Sequence, residues 1–115
     1  MGILPRKHRL TADKDVTRVL RKGRAVFTNL VGVKAAANDL GFVRTAVVVS
    51  TKVHKRATER NFVKRRIRAV LERIIPKIEA GIDIVVTAQN ESVGRNQADL
   101  ALALEHCFNK LGLVA

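Results

Sequence analysis

The sequence predicts an α+β fold in a single domain, a sheet with helices packed on it. Three observations lead there. First, residues 56–74 read as a helix whose Val63, Ile67, Val70, Leu71 and Ile74 fall within about a third of the circumference, an apolar stripe wide enough to bury against a sheet. Second, valine-rich runs at 43–50 and 83–88 are too short and too β-branched to be anything but buried strands. Third, 115 residues with 47% hydrophobic content suit one packed core rather than a disordered basic tail.

Taken in order, residues 1–10 form a basic arm held by Pro5 and carrying Arg6, Lys7 and Arg9. Such an arm is expected to be extended and to order on binding. Thr11 is a fair cap for a first helix, with Asp13 and Asp15 in the first turn where the helix dipole favours them. Val16, Val19 and Leu20 make its apolar side, and Gly23 can end it. From Ala25 to Ala37 the pattern turns β-like, through Val26, Phe27, Leu30, Val31 and Val33, with Gly32 a candidate bulge. Asn38-Asp39-Leu40-Gly41 signals a turn. A basic loop over 51–56 follows the 43–50 strand, and Pro76 must end or bend the long helix. Asn96 with Asp99 resembles a capping box for a last helix reaching about Leu111, its core stripe being Ala101, Leu104, Phe108 and Leu111. There are no internal repeats and no low-complexity segments.

The charge is extreme and uneven. The net charge is +12, yet residues 6–24 hold eight Lys/Arg against two acids and residues 52–73 hold nine against two, so the remainder is nearly neutral. Two basic blocks on a neutral scaffold point to a polyanion partner. On the long helix Arg60, Lys64 and Arg68 rise in one row at i, i+4, i+8, beside Asn61 and Arg65. Stacked like charges weaken an isolated helix by a few tenths of a kcal/mol per pair, so a polyanion along the row explains it better than a solvated face does. Arginine grips phosphate oxygens in pairs, and Asn61 can read a base edge or a 2′-hydroxyl. Arg18, Arg21 and Lys22 with Arg24 are read as a second group facing RNA.

Nothing in the chain looks like self-sufficient nuclease chemistry. The ten acids are scattered, and His8, His54 and His106 share no motif. His8 and His54 read as part of the basic rim, and His106 as a surface residue. Cys107, the single cysteine, forbids an internal disulfide and sits among apolar neighbours as a small core residue. No apolar run of about 18 residues and no apolar N-terminal leader is visible, so a cytoplasmic protein without a membrane partner is expected.

Arg60-Asn61-x-x-Lys64-Arg65-x-x-Arg68, preceded by Val49-Ser50-x-Lys52-Val53, resembles the signature of the bacterial ribonuclease P protein family. Leu4-Pro5-Arg6-Lys7-His8-Arg9-Leu10, then Asp15-x-x-x-Val19-Leu20-x-x-Gly23, and later Gly81-Ile82-Asp83-Ile84-Val85-Val86, are similar to the same family in the same order. The resemblance implies two strands before the Asn38 turn and one after it. The order becomes α-β-β-β-α-β-α, with a four-stranded sheet and, from the family alone, a left-handed βαβ crossover where general chirality rules predict a right-handed one.

The resemblance also implies a function. The chain would be the protein subunit of the RNA-based enzyme that removes the 5′ leader from precursor tRNA. The active site would belong to the catalytic RNA with its Mg²⁺, with no cofactor on the protein alone and no obligate protein partner. Lys52, Arg56, Arg60, Asn61, Lys64, Arg65 and Arg68 would contact the catalytic RNA, and Val16, Leu20 and Lys34 would line a cleft for the leader. Three departures stand out. Phe62 occupies a position that is commonly basic, Thr51 another, and the cleft positions 16, 20 and 34 lack the aromatic residues many members have. Little stacking of leader bases is therefore expected. Two other classes remain open on the residues: a ribosomal or RNA-chaperone protein of similar fold, and a DNA-binding module with the basic helix in a groove.

Overall fold

The computed structural model describes residues 8–78 and 81–114. Along them run α1 (Asp13–Lys22), β1 (Arg24–Phe27), β2 (Val31–Ala37), β3 (Arg44–Val48), α2 (Ala57–Ile74), β4 (Ile82–Ala88) and α3 (Gln97–Lys110). Short 3₁₀ turns follow α2 at Ile75–Lys77 and β4 at Asn90–Ser92. The four strands form one sheet in the order β1-β2-β4-β3, antiparallel except for the parallel pair of β3 and β4. Helix α2 therefore connects two adjacent parallel strands, as a βαβ unit.

Over Asp83–Val86 the central strand is buried on both faces, which is why this stretch reads as a run rather than an alternation. On one face Val31, Val33 and Ala35 of β2 and Ile84, Val86 and Ala88 of β4 meet the apolar stripes of α2 and α3. All five residues expected from the α2 stripe are buried. On α3 the stripe is Leu100, Leu104, Cys107 and Phe108, with Leu111 just beyond, whereas Ala101 is only half-buried. On the other face α1 sits alone, its Val19 packed with Leu10 and Val85.

Several local expectations are corrected. Helix α1 is not capped by Thr11: Ala12 is the cap, and its carbonyl accepts from the Asp15 and Val16 amides. Gly23 ends α1 in extended conformation (φ −70°), so its lack of a side chain serves close approach: a Cβ there would stand 2.5 Å from the Val19 carbonyl oxygen. Gly32 is no bulge, since the β1–β2 and β2–β4 registers run through it without a break. At Gly41, by contrast, φ is +77°, and the turn requires glycine. The third strand is shorter than the 43–50 run, because Ser50 already accepts from Val53 in the turn that opens the basic loop. Pro76 enters the 3₁₀ turn after α2 has ended. Half of the capping box on α3 is formed, with the Asn96 side chain accepting from the Asp99 amide at 2.9 Å.

Candidate nucleic-acid interface

Seating the apolar stripe of α2 on the sheet turns the opposite sector outward. Asn61, Arg65 and Arg68 are exposed there and Lys64 is half-exposed, while Lys52 and Arg56 are exposed at the helix entrance. Arg60 differs from its neighbours. Its Nη1 donates to the carbonyls of His54 (3.0 Å) and Lys55 (2.8 Å), so it ties the basic loop to the first turn of α2. The His54 Nδ1 accepts from the Arg56 amide at 3.0 Å and tightens the same loop. Helix α2 begins with no side-chain cap; Lys55 and Arg56 immediately precede it and Glu59 lies in its first turn. Cations at the positive end of a helix dipole are unfavourable in the free protein and become favourable around a bound anion.

Phe62, the apolar intruder in the basic signature, is 47% exposed. The guanidinium carbons of Arg65 and Arg66 each lie 6.0 Å from its ring centroid. At that outer limit of cation–π range the ring holds two arginines in place instead of supplying a charge itself.

The second group sits across the sheet. Strand registers define rows of side chains on the α1 face: Ala36, Asp83 and Arg44; then Ala25, Lys34, Val85 and Ala46; then Phe27, Gly32, Thr87 and Val48. Helix α1 covers the first row and the Val85–Ala46 end of the second. Lys34 emerges at its C-terminal end, where Nζ donates to the Leu20 carbonyl at 3.0 Å, a favourable place for an ammonium. Val16 and Lys34 are half-buried and Leu20 is exposed, so the three expected cleft residues do converge along one edge of α1. The third row lies beyond the helix, with Phe27 and Val48 exposed.

What holds α1 on the sheet is Asp83, whose side chain is fully buried. It accepts from Arg18 Nη2 at 2.6 Å, from Arg44 Nε and Nη2 at 2.9 and 2.7 Å, and from Asn38 Nδ2 at 2.7 Å. Burial alone would push this carboxyl up. The hydrogen bonds from Arg44 and Asn38 and the charges of Arg44 and Arg18 outweigh it, and hold the pKa below the usual carboxylate range. Arg44 also reaches Asp15 at 3.5 Å, and Arg18 donates to the Ala37 carbonyl at 3.0 Å. Arg18 therefore belongs to the scaffold and not to the RNA-facing group. His8 is likewise no rim residue, since its Nδ1 lies 2.6 Å from the Val43 carbonyl oxygen. Of the basic arm, Arg9 is exposed and bridges to Thr45 beside β3, and Arg6 and Lys7 lie outside the described residues.

Sequence reasoning missed two things here. Asp83 looked like one more strand residue, although a lone acid inside an apolar run is itself a signal that cations converge on it. By periodicity Phe27 is ordinary strand apolar content, yet it is 58% exposed on the sheet face that carries α1.

These features define a class: a small basic α+β protein with one cationic helix sector and one open strip of sheet. The comparisons name the family. The Ribonuclease P family model matches residues 4–112. The ribonuclease P protein component of Synechocystis sp. is 33% identical over 112 residues, covering 96% of this chain and 90% of that one. That of Beutenbergia cavernae is 32% identical over 113 residues, covering 98% and 95%. Among solved structures, the RNase P protein of Staphylococcus aureus superimposes with a TM-score of 0.85 at 26% identity, over 94% of this chain and 98% of that one. The RNase P protein of Thermotoga maritima gives 0.77 at 25%, over 85% and 94%. The chain belongs to the ribonuclease P protein family.

Lys34 offers a direct test of the cleft. Lys34→Ala should weaken the binding of long-leader precursor tRNA to the assembled enzyme and flatten its log–log salt slope by about 1. Short-leader substrate should bind as before. Titrations of both substrates across a salt series check this, and an unchanged slope would count against residue 34 as a leader contact.

Proposed function

We propose that this chain is the protein subunit of a ribonuclease P that assists a catalytic RNA in removing the 5′ leader from precursor tRNA. It does so by binding the catalytic RNA through the α2 sector and the leader through the strip beside α1. Lys52, Arg56, Asn61, Lys64, Arg65 and Arg68 make the RNA contacts, with Arg60 shaping the loop that presents them. Val16, Leu20 and Lys34 border the leader. Arg6, Lys7 and Arg9 add a further basic contact to the same polyanion.

The observation that carries this reading is the division of α2: one sector is sealed against the sheet over Val63–Ile74, while the adjoining one keeps Asn61, Arg65 and Arg68 exposed. A helix seated along its length presents a fixed row of donors to a shaped RNA surface, and does not protrude as a groove-reading helix must. The chemistry is assigned to the RNA and its Mg²⁺. Among the described residues the fully buried carboxylate, Asp83, is neutralised by two arginines, and no three His, Cys, Asp or Glu come together as metal ligands. Cys107 is buried and its thiol pKa is raised by that burial, which disfavours the thiolate a nucleophile needs. The described helices include none long and apolar enough to cross a membrane. The cytoplasm, where precursor tRNA arises, is the compartment this function requires.

The test is reconstitution. Purified protein with Mg²⁺ should leave precursor tRNA intact, and cleavage at the mature 5′ end should appear when the partner RNA is added. Leader removal by RNA-free protein, lost in an Arg65→Ala or Arg68→Ala variant, would overturn the assignment of chemistry to the RNA.

A further inference from the structure

Phe27 is in an unusual position for a ring on a sheet. By register it stands opposite Gly32, and a Cβ on Gly32 would collide with the Cδ1 and Cε1 atoms of the ring. The glycine therefore leaves room for the ring: its Cδ1–Cε1 edge rests over Gly32, with the Gln89 side-chain amide beside it, and the residue stays 58% exposed. Gly32 itself is buried beneath it. Aromatic cover of a strand glycine stabilises a sheet locally, and it restricts where the ring can go.

The surroundings specify what such a surface would take. Lys34 is the diagonal neighbour of Phe27 on β2, within about 7–8 Å by strand geometry. The row continues through Thr87 to the exposed Val48, which leads directly into the basic loop holding Lys52, Lys55 and Arg56. A strip that is apolar and flat at one end, cationic beside it and cationic at its far end matches an unpaired nucleotide: base on the ring, phosphates along the lysines.

We propose that Phe27, seated over Gly32, is the stacking platform for one nucleobase of the single-stranded 5′ leader. This inference rests on the reading of the strip as the leader site and goes beyond it. The cleft has its aromatic surface on β1, displaced from positions 16, 20 and 34. Stacking is tolerant of base identity and resists salt, whereas the Lys34 contribution fades with salt. Leader affinity therefore has two separable parts.

The experiment uses enzyme assembled from this protein and its RNA, with precursor tRNAs of short and long leader titrated across a salt series. Phe27→Leu should reduce the long-leader advantage about tenfold (about 1.4 kcal/mol) at every salt concentration, and Phe27→Trp should keep it. Gly32→Ala leaves the ring in place in the sequence but lifts it from its seat, and should show the same loss. An abasic substitution at one leader position should reproduce the loss in the parent enzyme and add nothing in Phe27→Leu. If Phe27→Leu retains the full advantage while Lys34→Ala diminishes it, the platform is wrong and the leader site stands. If neither variant changes the advantage, both fall.

Discussion

Asp83→Asn should lower the folding stability of this protein by about 3–5 kcal/mol, the usual cost of removing one partner from a buried ion pair. The side chain is fully buried and four donor groups from three side chains converge on it. An amide of the same shape keeps a single acceptor oxygen and turns an N–H toward the guanidinium groups of Arg18 and Arg44. Two arginines then face each other with only Asp15, 3.5 Å from Arg44, left as a counter-charge. Since small domains are stable by only about 5–15 kcal/mol, this is a large fraction of the total. Urea unfolding checks it, and a loss under about 1 kcal/mol would show that the network is incidental.

The same carboxyl predicts an acid limb. Its folded pKa is depressed, so between that value and the unfolded value of about 3.9 the unfolded chain binds the extra proton. Stability is therefore fully present above about pH 4 and falls as the pH drops through the folded pKa. Asp83→Asn should abolish that part of the pH dependence. Arg44, whose pKa is raised chiefly by its hydrogen bond to Asp83, remains charged throughout and adds no limb of its own. Loss of the network also frees α1, so leader binding should suffer more than RNA binding does.

Arg65→Ala and Arg68→Ala should each weaken assembly with the partner RNA by about 1.5–3 kcal/mol, while the protein remains folded. Both side chains are exposed on α2, turned away from Val63 and Ile67, so no core contact is lost with them. Each removed phosphate contact should make the log–log salt slope shallower by roughly 0.7–0.9. Of the two, Arg65 should show the larger effect, because the Phe62 ring restrains its guanidinium before binding and less ordering remains to be done. Filter binding or calorimetry over a salt series, with circular dichroism as the control for folding, measures this. Unchanged affinity and slope in both variants would reduce the row to a solvated face. Arg60→Ala provides the contrast: it should act through disorder of the 51–56 loop, lowering affinity without a full unit of slope.

The sequence by itself determined the elements and their buried faces. The 3.6-residue spacing from Val63 to Ile74, the valine runs and the turn at Asn38 are local patterns, and each is enforced by the backbone geometry of a few neighbouring residues. It also determined that α2 carries cations on one side, and the order of motifs identified the family. What only the tertiary structure decided is the use of residues whose partners are distant in the chain. Asp83 is 65 positions from Arg18 and 39 from Arg44, and no local pattern shows that sheet register and helix docking bring them together. That convergence converts Arg18 from a surface cation into a scaffold residue. Phe27 and Gly32 are only five apart, yet periodicity assigns both to a strand and says nothing of which face is covered. The sheet face at that row is open because α1 is seated over the other two rows, through Arg18 on Asp83 and Val19 on Val85, and Gly23 lets the chain turn from α1 into β1 where a side chain would strike the Val19 carbonyl. Periodicity marks which residues can be buried; the length and seating of the covering helix decide which of them are.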